Sequence, residues 1–148
     1  MNRKEFMHQC GFACLGVMGL SALTESCAVS RQLDASINDR SQMQVPLSVF
    51  ITSSKNNRQQ FKRYIIVRND RLNYPIVVYR NAENNYTALL LRCSHQYNEL
   101  NVNGDLLTCP AHGSEFNAKG EVVHGPAEDK LRSFVTTVDA QNLFIHLV

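Results

Sequence analysis

From Leu47 to the end of the chain, short apolar and β-branched runs alternate with polar, turn-forming stretches. Six runs read as strands: 47–52 (LSVFIT), 61–67 (FKRYIIV), 76–80 (IVVYR), 86–91 (YTALLL), 134–138 (FVTTV) and 143–147 (LFIHL). The segments 53–60 and 69–75 between them are rich in turn formers. No long helical repeat of apolar positions interrupts the series, so the pattern predicts an all-β fold, a small sandwich or barrel.

The first 44 residues read differently. Arg3 and Lys4 give a basic start, and residues 11–23 (GFACLGVMGLSAL) form an uncharged apolar stretch. A spanning helix needs about 20 such residues, so residues 1–27 are expected to be an export signal. Asn-Arg-Lys-Glu-Phe at 2–6 resembles a twin-arginine signal with Lys4 in place of the second Arg, and Cys27 resembles the lipidated cysteine of a bacterial lipoprotein. The expected location is therefore the periplasmic side, anchored to a membrane surface through lipid on Cys27. Residues 28–44 are mostly polar, show no evident apolar period and precede Pro46, which predicts a flexible tether. The folded domain is then expected over 45–148.

At 148 residues the chain has room for one domain and an appendage. The net charge of +2 is too small to imply a nucleic-acid partner.

Chemistry concentrates between Cys93 and Phe116. Cys93-Ser94-His95 is followed, thirteen residues after His95, by Cys109-Pro110-Ala111-His112 and then Gly113-Ser114-Glu115-Phe116. Two Cys and two His predict a metal site. A structural zinc draws its ligands from C-x2-C or H-x3-5-H pairs, and neither spacing occurs here. Each loop instead offers one thiolate and one imidazole. That suits a binuclear centre in which one iron takes both thiolates and the other both imidazoles; a mononuclear zinc on the same four ligands is the alternative.

The second loop, CPAHGSEF at 109–116, together with Gly120 and Gly125-Pro126-Ala127, resembles the Rieske [2Fe-2S] family over roughly residues 45–148. The resemblance implies an antiparallel β-sandwich or barrel with an inserted cluster-binding subdomain, and one [2Fe-2S] cluster per chain. It implies further that Cys93 and Cys109 hold the buried iron, His95 and His112 the outer iron near solvent, and that Gly125-Pro126 lies in a third loop closing over the cluster. Ser114 matches a serine of the quinol-oxidising members, in which a Ser and a Tyr hydroxyl donate to a bridging sulfide and a ligand thiolate.

Departures from the family pattern narrow the function. The disulfide that ties the ligand loops of quinol-oxidising members would fall at Asn98 and Ala111, which cannot form it. Phe116 stands where those members place a tyrosine donor. Fewer donors leave the reduced cluster less stabilised, so a midpoint in the middle of the roughly −150 to +300 mV Rieske range is expected. The chain is expected to be an electron-transfer protein rather than a stand-alone enzyme, exchanging electrons with a cytochrome or membrane redox enzyme. A quinol-oxidising subunit of a cytochrome bc-type complex and the ferredoxin component of an oxygenase are the alternatives within the family.

Local signals complete the reading. Asn103-Gly104 predicts a type I′ hairpin that turns His95 and Cys109 towards one another, and Lys119-Gly120 a second turn. Gly113 is expected to let backbone amides approach the cluster. Lys55, Arg58, Lys62, Arg63, Arg68 and Arg71 form a basic run that is expected to coat solvent-facing positions. His124 and His146 are expected at structural and surface positions, and Glu128 and Asp129 in a solvated turn.

Overall fold

The computed structural model describes residues 32–52 and 59–148. The expected export signal, Cys27 and residues 28–31 lie outside the described residues, as do Lys55 and Arg58.

Thirteen strands carry nearly all of the regular structure. They are β1 (Gln32–Asp34), β2 (Gln42–Pro46), β3 (Ile51–Thr52), β4 (Gln60–Phe61), β5 (Tyr64–Arg68), β6 (Ile76–Ala82), β7 (Asn85–Leu90), β8 (Asn101–Asn103), β9 (Leu106–Thr108), β10 (Glu115–Asn117), β11 (Val122–His124), β12 (Ser133–Val138) and β13 (Asn142–His146). A curled sheet of order β1-β5-β6-β7-β12-β13-β2 forms the base, and a four-stranded sheet of order β11-β10-β9-β8 forms the smaller lobe. The all-β expectation with an inserted subdomain is met.

The runs YIIV, IVVY and ALL are apolar at consecutive positions because β5, β6 and β7 are buried on both faces. Ile65, Val67, Ile76, Val78, Ala88 and Leu90 face the base core with Met43, Phe50, Leu143 and Ile145. Their neighbours Ile66, Val77, Tyr79 and Leu89 face a second core with Leu100, Leu107, Phe116 and Leu131. Cys93 and Cys109 belong to this second core, so the wall of three strands is also the floor of the ligand loops.

Two expectations are corrected. Within the expected tether, β1 pairs in parallel with β5 and β2 pairs antiparallel with β13. The apolar alternation is present there after all, short and diluted: Ala35 and Met43 are buried, Leu33 and Ile37 pack against the base core, and Val45 just beyond continues the pattern. The run 47–52 is likewise only partly strand, since Leu47–Phe50 forms a 3-10 turn directly after Pro46 that drives Phe50 into the core beside Tyr86, ring centroids 5.2 Å apart.

The hairpin between the ligand loops forms, but its two-residue turn is Gly104-Asp105 rather than Asn103-Gly104. Gly104 has φ 63° while Asp105 keeps a negative φ. Type I′ needs positive φ at both positions, so this is a glycine-first turn.

Candidate metal centre

The ligand loops are built alike. In the first, the Cys93 amide donates to Asn98 O (2.9 Å) and the Tyr97 amide to Cys93 O (3.0 Å). In the second, the Cys109 amide donates to Ser114 O (2.8 Å) and the Gly113 amide to Cys109 O (3.0 Å). In both loops the fourth residue after the cysteine turns left-handed, with φ 60° at Tyr97 and 77° at Gly113. Glycine takes that conformation without penalty, whereas tyrosine is strained by it. Stacking of the Arg92 guanidinium on the Tyr97 ring, 4.4 Å from its centroid, offsets part of that cost.

This construction sets the cysteines inward and the histidines outward. Cys93 and Cys109 are 0% and 3% exposed, and neither is in a disulfide. His95 and His112 are exposed, with ring centroids 5.1 Å apart and planes at 84°. Among the described residues, no three His, Cys, Asp or Glu side chains gather as they would around one ion. Two thiols in the interior and two imidazoles at the surface suit a division of ligands between the two irons of one cluster.

A third loop covers the other two. Its Gly125-Pro126 peptide is cis, and the buried Ala127 amide donates to Ser114 Oγ at 3.0 Å. Ser94 Oγ donates to Asp129 O at 2.6 Å, fastening the same loop to the first ligand loop. Ser94 and Tyr97 are site residues to which the sequence assigned no role, and Ala127, part of the third-loop motif, gains one through its amide. Ser94, lying between two proposed ligands, carried a signal that could have found it. Ser114 is fully buried, and Phe116 is buried in the second core.

A family model describing the Rieske [2Fe-2S] domain matches residues 52–135, more than half of the chain. The chain belongs to this family. A Rieske domain binds a single [2Fe-2S] cluster and is an electron-transfer module rather than a catalytic one. The donor set just described fits that group. The chain is similar to the plasma membrane Rieske protein PetC3 of the cyanobacterium Synechocystis PCC 6803, with 26% identity over 56% of this chain and 85% of that one, TM-score 0.49. A structure of the oxygenase and ferredoxin complex of carbazole 1,9a-dioxygenase matches at 24% identity over 56% of this chain and 79% of that one, TM-score 0.44. Dicamba monooxygenase matches at 31% identity over 51% of this chain and 26% of its own length, TM-score 0.36. No curated protein sequence matches the chain.

His146 is half-buried between β2 and β12, its Nδ1 3.3 Å from Gln42 Nε2 and its Nε2 2.9 Å from Thr137 Oγ1, so it is a structural tie rather than a free surface residue. His124 is exposed at the end of β11. Arg63 and Arg68 of the basic run pair with Asp105 and Glu99, each at 2.9 Å. No helix among the described residues is long and apolar enough to cross a membrane.

Proposed function

We propose that the chain is a one-electron carrier in which Cys93 and Cys109 hold the inner iron of the cluster, and His95 and His112 the outer iron. The observation that carries this reading is the pair of exposed imidazoles lying above two buried thiols. When bound, the cluster supplies one reducing equivalent at a time. The two cysteines, closed off by the second core, keep water from the inner half of the site. The two imidazoles stand at the surface, where a partner protein can approach them, and their outer N–H groups can exchange protons with solvent. Ser114, with an oxygen lone pair taken by the Ala127 amide, has its hydroxyl proton free to donate towards sulfur.

Two settings remain within that function. Residues 1–27 favour an exported carrier anchored through Cys27, serving a cytochrome or membrane redox enzyme. The tying of the loops by hydrogen bonds from Ser94 and Ala127, with Asn98 and Ala111 at the disulfide positions, favours instead the ferredoxin type that feeds an oxygenase. It counts against a quinol-oxidising subunit.

Potentiometric titration of the purified chain at several pH values separates these. A midpoint in the middle of the Rieske range that falls above neutral pH supports the exported respiratory type, and a low, pH-insensitive midpoint supports the ferredoxin type. His95→Ala is expected to abolish the native cluster spectrum. Retention of an unchanged spectrum overturns the ligand assignment, and one zinc with no redox chromophore overturns the function.

A further inference from the structure

The cations that run together in the sequence do not make one charged face, because Arg63 and Arg68 are each committed to a carboxylate. A different set converges beside the first ligand loop. Arg92, Lys130 and Arg132 line a depression of about 370 Å³ that reaches Ser94 and Tyr97. A second depression, of about 200 Å³, shares Leu90, Arg92 and Arg132 with the first and adds Arg71. Asp129 is the one carboxylate lining either, and Glu128 next to it lines neither.

Four cations against one carboxylate give this face an excess of three positive charges, more than the +2 of the entire chain. Among the described residues none of the four cations is in an ion pair. Two are held in place without being neutralised. Arg92 stacks on Tyr97, and Arg132 lies 4.9 Å from the Phe134 ring centroid while its Nη2 donates to Leu147 O at 3.0 Å. Stacking preserves the guanidinium charge and fixes its plane.

We propose that this face is the seat for an acidic surface segment of the redox partner protein. The inference rests on the electron-carrier reading and adds the partner's chemistry and its approach. Ser94 and Tyr97 flank His95 in the first ligand loop, so an acidic segment seated on Arg92, Lys130, Arg132 and Arg71 lies against the loop that carries an exposed imidazole. Complementary charge there speeds encounter and orients the partner, and salt screens it.

The test uses the full-length holoprotein and a fluorescein-labelled peptide of ten glutamates, with anisotropy read at low and high ionic strength. Lys130→Glu combined with Arg71→Glu is expected to weaken peptide binding about tenfold at low salt. Arg40→Glu combined with Lys62→Glu changes the net charge equally, and neither residue lines the two depressions. That control is expected to leave binding unchanged. Equal weakening in both double variants would reduce the effect to net charge and overturn the proposal. Displacement of the peptide by an equal concentration of inorganic phosphate would also overturn it, by showing a pocket for small anions. The cluster's visible absorption, followed in all three proteins, reports separately on the carrier reading.

Discussion

Ser114 Oγ accepts a hydrogen bond from the Ala127 amide at 3.0 Å, and both residues are buried. One side chain thus holds the third loop down, and its hydroxyl proton, not used in that bond, is the donor proposed for the cluster. Ser114→Ala leaves a buried N–H without a partner, which costs about 1–3 kcal/mol. The variant is expected to unfold at lower denaturant concentration and to show a lower midpoint potential. A lost stability with an unmoved midpoint would show that the hydroxyl does not donate to the cluster.

Phe116 is fully buried in the second core, at the position where quinol-oxidising relatives carry a tyrosine. Phe116→Tyr supplies the missing donor and is expected to raise the midpoint. If its hydroxyl finds no acceptor, the variant loses about 1–3 kcal/mol by burying it unpaired. Redox titration and denaturant unfolding read the two effects separately. A raised midpoint at unchanged stability identifies the hydroxyl as paired.

The shared construction of the ligand loops sets different tolerances at Tyr97 and Gly113. No protein atom lies within 4 Å of a Cβ added at Gly113, so within the protein itself the cost of Gly113→Ala is that of its φ of 77°, about 1–2 kcal/mol. Gly113→Asn is expected to cost less than Gly113→Ala, because asparagine accepts the left-handed region more readily. Tyr97→Gly relieves strain but gives up the Arg92 stacking and adds chain entropy, so its net effect is expected within about 1 kcal/mol. Thermal unfolding of the three variants checks the order.

Burial, with the Asp105 carboxylate adding to it, pushes the Tyr79 phenol well above its ordinary range, and its hydroxyl donates to Gly104 O at 3.0 Å. The folded protein therefore holds a proton that the unfolded chain releases near pH 10. The stabilisation is full below that pH and is lost as pH rises towards the raised folded value. Tyr79→Phe is expected to cost about 0.5–1.5 kcal/mol near neutrality. It should also flatten the decline in stability between about pH 9 and pH 11. A decline just as steep in the variant would assign it to another group.

Strands with strong apolar runs were legible in the sequence, and β5, β6, β7, β12 and β13 fall where the pattern put them within a few residues. The stretch 28–44 was not, because β1 and β2 expose alternate polar residues on edge strands and bury few apolar ones. Their pairing is set by distant partners, Ile66 to Arg68 and Asn142 to His146, which local composition does not reveal. At the metal centre, the spacing of Cys93, His95, Cys109 and His112 announced the chemistry. The position of Ser94 between two ligands marked it as a site residue, but its bond to Asp129 and the backbone turn at Tyr97 depend on three-dimensional closure, which residue types alone do not reveal.

The double-sided burial of β5, β6 and β7 has a consequence for how the chain chooses its register. In a sheet with one wet face, a slip by one residue exposes a row of apolar side chains and is rejected on that ground. Here both faces are dry, so the same slip would exchange one set of aliphatic residues for another. Tyr79, fully buried, is an exception. Its phenol has an acceptor in the hairpin at Gly104, and a slip would swing the hydroxyl towards the base core and away from that carbonyl. That one hydrogen bond helps to tell the chain which side of the wall is which.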